Sequence, residues 1–300
     1  MSNPSFLSRL LLVAGGHEMS PAEKQSDDPR AAATSVLRWK HGNAWPEESD
    51  WVAREEPLEI RVKGESVAVT MRTPGHDKEL ALGFLLSEGV ISGVGDVLEV
   101  APCQQGEAAL HGNVLNVFLA LGVEVDLAKL KRNVYASSSC GLCGKASIES
   151  VQCLFEPLAK RGPTVGVERI LSLPEKLRAD QATFDKTGGL HAAGLFDGAG
   201  KLLALREDVG RHNAVDKVLG RALADGRLPL EDCVLMVSGR ASFEILQKSL
   251  AGRVGVICAV SAPSSLAVEF AQESGQTLVG FLRGDTFNVY SHPERIEGLA

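Results

Sequence analysis

The stretch CVLMVSGRASFEILQKSLAGRVGVICAVSAPSSLAVEFAQESGQTLVGFL, residues 233–282, decides the fold. It opens on a short apolar run at 233–237 and returns to one at 254–260 and again at 277–282. Between these runs lie SFEILQKSLAG and SSLAVEFAQESG, each starting on serine, spaced apolar every three or four residues, and closed by glycine. Runs that are apolar throughout belong to strands covered on both faces, and intervening helices supply the crossovers that parallel pairing needs. The pattern predicts an α/β sheet with helices on its faces.

Upstream, HAAGLFD (191–197) and KLLALRED (201–208) flank Gly198-Ala199-Gly200 and read as a hairpin. In 212–226 the apolar positions Val215, Val218, Leu219, Ala222 and Leu223 follow helical spacing, with Gly226 as the stop. NVYSH (288–292) adds an edge strand. The first half is more irregular. LEIRV and SVAVTM alternate around Lys63-Gly64-Glu65 as a second hairpin, and RTPGHDKELALGFLLSEGVI (72–91) reads as a turn, an Asp77 cap and a helix ended by Gly89. GNVLNVFLA is a further strand, and KASIESVQCLF (145–155) looks helical. Residues 1–45 lack sustained periodicity and are expected to be a disordered leader, with order beginning near Trp51 and Met19 as a candidate start. The expected domains are 46–155, a smaller N-terminal αβ unit ending in a cysteine loop, and 156–300, the C-terminal α/β unit.

A net charge of −7 and an isoelectric point near 5.6 argue against a nucleic-acid binder, because no basic stripe is available to neutralise phosphates. No run approaches the roughly 18 apolar residues of a membrane span, and no cleavage site follows the apolar patch near the N-terminus, so a cytoplasmic location is expected. Six cysteines are too few for a disulfide scaffold. Cys233 and Cys258 sit in apolar runs and read as inert core.

Cys140 and Cys143 stand apart, in YASSSCGLCGK. Two thiols three positions apart can share a metal, an electrophile or a sulfur atom in transit. The adjacent glycines and Lys145 favour a thiolate, the reactive form. Several readings stay open on the residues alone. A zinc site lacks a second ligand pair, a thioredoxin-like centre lacks its usual setting, and two ordinary buried cysteines fit poorly among glycines. Persulfide chemistry fits the mobile, polar loop.

Three further clusters carry polar groups. REDVGRHNAVDK places Arg211, His212 and Asn213 at a helix start, where N–H groups suit a phosphate; the competing reading is a capping cluster built on Asp208 or Asn213. VSGRASFEIL sets Ser238, Gly239 and Arg240 between a strand and a helix, where open α/β sheets form crevices, and SAPSSLAVEF repeats that junction. In FLRGDTFNVY, Arg283, Asp285 and Asn288 could read a guanine-like edge, although an exposed turn is the plainer reading.

These segments, in this order, resemble the FdhD family, the formate dehydrogenase accessory sulfurtransferases, over residues 55–296. The resemblance implies a sulfur carrier that takes persulfide sulfur from a cysteine desulfurase onto Cys140, with Cys143 assisting. The sulfur would pass to bis-molybdopterin guanine dinucleotide before that cofactor enters a molybdenum-dependent formate dehydrogenase. It further implies a homodimer, a cytidine-deaminase-like three-layer C-terminal domain, and a cofactor segment at Phe281, Leu282, Arg283, Gly284, Asp285 and Thr286. Arg211, His212 and Arg240 are the accompanying candidates for its phosphates and base. No permanent metal is expected: the deaminase zinc motif is broken, since Ala-Ala follows His191 and Ser139 precedes Cys140. A cofactor-binding chaperone without sulfur chemistry is the alternative.

Overall fold

A computed structural model describes residues 28–44, 46–104, 112–128, 130, 155–159 and 162–299. Cys140, Cys143 and the helix expected over 145–155 lie, but for Phe155, outside the described residues. The strands of the first half are β1 (Ala31–Val36), β2 (Trp39–Lys40), β3 (Asn43–Ala44), β4 (Glu48–Ala53), β5 (Glu56–Val62) and β6 (Glu65–Arg72), followed by helix α1 (Asp77–Ser87), β7 (Val97–Pro102) and β8 (Val114–Leu119). The second half runs β9 (Val165–Gly166), α2 (Val167–Ala179), α3 (Ala182–Thr187), β10 (His191–Phe196), β11 (Leu202–Asp208) and α4 (Arg211–Ala224). It continues with β12 (Val234–Val237), α5 (Phe243–Ala251), β13 (Val256–Ala259), α6 (Ser265–Ser274), β14 (Thr277–Arg283), β15 (Thr286–Ser291) and β16 (Ile296–Glu297).

The deciding stretch forms the centre of a six-stranded sheet ordered β11-β10-β12-β13-β14-β15. Strands β12, β13 and β14 pair in parallel, and the flanking pairs are antiparallel. Alternate residues therefore form rows on opposite faces. Leu195, Leu235, Ile257 and Leu278 are in register and fully buried against the side that carries α4, α5 and α6. The neighbouring row, Met236, Cys258 and Val279, packs with Ile170, Leu173 and Leu177 of α2 on the other face. Gly194 completes that row, and a Cβ there would come within 2.7 Å of Leu177 Cδ1. The two buried cysteines of this domain match the core reading: burial pushes Cys233 up to about 12 and raises Cys258 further.

A four-stranded sheet, β6-β5-β8-β7, covers the far side of α1 with Leu58, Ile60, Leu115 and Val117. Helices α1 and α4 cross between the two sheets at glycines. A Cβ on Gly83 would fall 1.8 Å from the Asp216 carbonyl oxygen, and one on Gly220 would fall 1.8 Å from that of Glu79. Only glycine permits this approach, and it brings Leu80, Val215 and Leu219 into a single core that spans both sheets.

Two expectations need correction. The leader does not extend to residue 45, because Ala31–Val36 is a strand antiparallel to β4, held by ladder bonds from Ala31↔Ala53 to Val36↔Glu48. Its alternation is weak in sequence because this two-stranded ribbon buries little. Helix caps also differ: α1 is capped by His76 in the left-handed region rather than by Asp77, whose carboxylate pairs with Arg72 at 3.0 Å.

The glycine crossing makes a direct prediction. Gly83→Ala or Gly220→Ala should cost about 1–3 kcal/mol or more by overpacking, read as a fall in the urea midpoint. Gly95→Ala, where an added Cβ meets nothing within 4 Å, should stay within about 0.5 kcal/mol of the parent. Equal behaviour of the three would show that the crossing relaxes freely.

Candidate functional site

The parallel strands end together, and a cavity of about 710 Å³ opens beside their carboxyl ends. Ser238 follows β12, Val260 follows β13, and Leu282 with Arg283 closes β14; these form one wall with His191 at the start of β10. The opposite wall comes from α2 and α3 through Pro174, Leu177, Arg178, Gln181 and Phe184. This is where an open α/β sheet places its ligand, because diverging loops leave a crevice at the strand ends. Its volume falls within the usual range for small-molecule sites, roughly 300–1,000 Å³.

Cations gather at one end. Burial lowers the pKa of His191, and the nearby Arg211, His212 and Arg240 lower it further. Gly239 lies between two of these groups: a Cβ there would sit 3.4 Å from His191 Nδ1 and 4.0 Å from Arg211 Cδ. Arg211 opens helix α4, so its position coincides with the free N–H groups of a helix start. Its Nε is buried and has no hydrogen-bond partner among the described residues. A buried donor of a charged group is costly to leave unmatched, so this atom suits an anionic oxygen. Arg283 Nε donates to the Val260 carbonyl at 2.8 Å, which fastens that guanidinium to the end of β13.

The expected site residues divide. Leu282 and Arg283 line the cavity, and Arg211 and Arg240 lie beside it with His191. Phe281 bulges outward at φ 53° with its N–H on the Ser261 carbonyl. Gly284, Asp285 and Thr286 form the exposed β14–β15 turn, closed by Thr286 Oγ1 donating to the Arg283 carbonyl at 3.2 Å. His212 is engaged, its Nε2 2.8 Å from Glu244 Oε2. Burial opposes charge on Glu244, but the His212 hydrogen bond, with Lys248 and Arg211, holds its carboxyl below the ordinary range.

The capping alternative for REDVGRHN is half right. The cap of α4 is Gly210, neither Asp208 nor Asn213. Asp208 Oδ1 instead accepts from the Gly210 N–H at 2.8 Å and from Asn213 Nδ2 at 3.0 Å, so both side chains organise the turn from within. Glu207 is equally internal: its carboxylate accepts from the N–H groups of Thr183 and Phe184 and thereby caps α3. No motif in the sequence marks the α2–α3 wall. Its signal was available, since Ile170, Leu173 and Leu177 are helically spaced and Gly188-Gly189 follows as a stop.

The fold is an open α/β sheet with a crevice at its strand ends, rimmed by guanidinium groups. The chain belongs to the FdhD/NarQ family, whose model matches residues 53–297. It is 51% identical over 267 residues to the sulfur carrier protein FdhD of Streptomyces coelicolor, covering 87% of this chain and 94% of that one. The sulfur carrier protein FdhD of Saccharolobus solfataricus is 44% identical over 270 residues, covering 89% and 98%. Among solved structures, a protein assigned as a formate dehydrogenase accessory protein from Desulfotalea psychrophila superposes with a TM-score of 0.72 at 28% identity. That match covers 89% of this chain and all of the other. Among the described residues no helix is long and apolar enough to cross a membrane.

His191 gives a pH prediction. Its folded pKa lies below the ordinary 6.5, so in the window beneath 6.5 the unfolded chain binds the proton that the folded one refuses. Stability carried by this residue is therefore full above about pH 6.5 and is lost as pH falls through the folded value. The fall in Tm between about pH 7 and pH 5 should be shallower in His191→Gln than in the parent. Parallel curves would mean that His191 titrates normally.

Proposed function

We propose that this chain is a sulfur carrier that accepts persulfide sulfur on Cys140 from a cysteine desulfurase. It then delivers that sulfur to bis-molybdopterin guanine dinucleotide before the cofactor enters formate dehydrogenase. The names of the relatives support a sulfur-carrying role, and the accessory-protein neighbour supports formate dehydrogenase as the enzyme served. The observation that carries the cofactor half of this reading is Arg211, with a buried, unmatched Nε at a helix start beside the cavity. A dinucleotide cofactor brings phosphates and planar rings together, and the cavity offers guanidinium groups at one end with apolar side chains along its walls.

The chemistry proposed for the thiols is exchange. The Cys140 thiolate attacks the terminal sulfur of the donor persulfide, a new S–S bond forms, and the donor cysteine leaves as its thiolate. One sulfur moves, with no net oxidation, and Cys140 becomes the persulfide; Cys143 assists from three residues away. In this reading the chain is a sulfurtransferase, cytoplasmic and homodimeric. Arg211 and Arg240 meet cofactor phosphates, and Arg283, held by Val260, fixes one edge of the bound molecule. The layering of one sheet between α2 and α4–α6 supports the cytidine-deaminase-like description of the C-terminal unit, with deamination excluded by the broken motif.

The test is intact mass after incubation with an active cysteine desulfurase and cysteine. The parent should gain about 32 Da, one sulfur, reversed by reductant; Cys140→Ser should gain nothing while keeping its fold. No gain in the parent would remove the carrier role and leave the cofactor-binding chaperone.

A further inference from the structure

The first described strands form an arm that the fold holds at its root. β1 and β4 pair from Ala31↔Ala53 out to Val36↔Glu48, and β2 and β3 carry the ribbon on through Trp39↔Ala44. Ala31, Ala53, Ala33 and Trp51 share one face by strand alternation. At the root this face is covered: Ala31 is buried, Lys186 of α3 sits 3.6 Å over the Trp51 ring, and a Cβ on Gly189 would lie 3.3 Å from Ala53 Cβ. Toward the tip that cover ends. Leu37 is 72% exposed and Trp39 71%, while Arg38 between them is committed to Glu48 and, at 3.1 Å, to Asp50.

A two-stranded ribbon is marginal in water by itself, because it has no second layer to pack on. Two neighbouring large apolar side chains in the open weaken it further. The regular ladder therefore calls for cover at the tip, and the chain carries a segment of matching character. The backbone enters β1 at the foot of the arm, where Thr183 Oγ1 donates to Asp28 Oδ2 at 3.0 Å. Residues 1–27, which lie outside the described residues, contain one apolar cluster, Phe6-Leu7-Ser8-Arg9-Leu10-Leu11-Leu12-Val13. Neither the candidate site nor the proposed function uses it. Residues 14–27, between this cluster and Asp28, reach roughly 46 Å when extended. From Asp28 to Trp39 the path along extended backbone is at most about 36 Å, so the cluster can fold back over the tip. Arg9, the only charged side chain in 1–13, matches Glu47, which accepts from the Ser35 hydroxyl.

We propose that residues 6–13 fold back onto the open face of the arm and cover Leu37 and Trp39. The occupant is a segment of the same chain, so the contact is intramolecular and independent of protein concentration. It stands apart from the sulfur-carrier reading, since neither the cysteine pair nor the cavity enters it.

Hydrogen–deuterium exchange of the full chain, beside a chain that starts at Met19, tests this. Amides of residues 34–49 should exchange roughly tenfold or more faster once the cluster is removed, while β12, β13 and β14 stay as protected as before. Leu11→Asp combined with Leu12→Asp in the full chain should reproduce that rise, because a carboxylate is costly to bury against an apolar tip. Trp39→Ser should raise exchange in the full chain and add little in the shortened one, the non-additivity of side chains in contact. Unchanged exchange after removal of residues 1–18, with the central sheet still protected, would overturn the proposal. So would protection that survives the removal and fades on dilution, which would assign the cover to a second copy of the chain. Should the shortened chain fold poorly, the paired leucine substitutions decide by the same readout.

Discussion

Lys217 and Asp208 form an ion pair at 2.7 Å, with side chains 1% and 0% exposed, and the two halves of the molecule meet around it. Thr73, the first residue beyond β6, is gripped at three points. Its N–H donates to Asp208 Oδ2, its carbonyl accepts from Lys217 Nζ, and its hydroxyl oxygen accepts from the Val209 N–H. Burial lowers the pKa of Lys217, so the charge is held there at a cost that Asp208 offsets. Such a pair adds little net stability over an apolar replacement, yet losing one member strands the other at about 3–5 kcal/mol. Its effect here is registration: β6, the β11–α4 turn and the start of α4 can settle in one arrangement.

Helix α4 extends that registration along its length. Asp216 receives Lys248 of α5 at 2.7 Å and Ser87 of α1 at 3.1 Å, while burial raises its own pKa. Glu79 of α1 takes the Arg206 guanidinium at both oxygens. With the glycine crossing between them, α1 and α4 behave as one unit, and the position of Arg211 beside the cavity is inherited from the whole interface. A guanidinium supported in this way is already ordered, so its geometry costs nothing further to organise.

The core was readable where local chemistry decides it. The apolar runs at 234–237 and 256–259 are strands of the central sheet, and the helices between them start on Ser242 and Ser264 as spaced. REDVGRHN was legible only as a cluster. Whether Asp208 and Asn213 face a ligand or the protein depends on Thr73 and Met71, well over a hundred residues earlier, and no spacing rule reports contacts of that range. The β1–β4 ribbon escaped notice because its residues are mostly half-exposed, so little apolar alternation marks it. The cavity was half visible. Its strand-end wall carries glycine and arginine signals, while Gln181 and Phe184 are ordinary residue types whose meaning comes from their placement.

The α2–α3 wall has one more property. Helix α3 is held at its start by Glu207, which also receives Arg30 at 3.5 Å, and Thr183 Oγ1 donates to Asp28 at 3.0 Å. Along its flank, Lys186 Nζ sits 3.6 Å from the centroid of Trp51 on β4. The segment around residue 30 and the β4 strand thus clamp a six-residue helix too short to be stable alone. Mechanical strain at the amino end of the folded chain would therefore reach the cavity within a few bonds. A displacement of that ribbon is therefore a displacement of the cavity wall, applied from its far side.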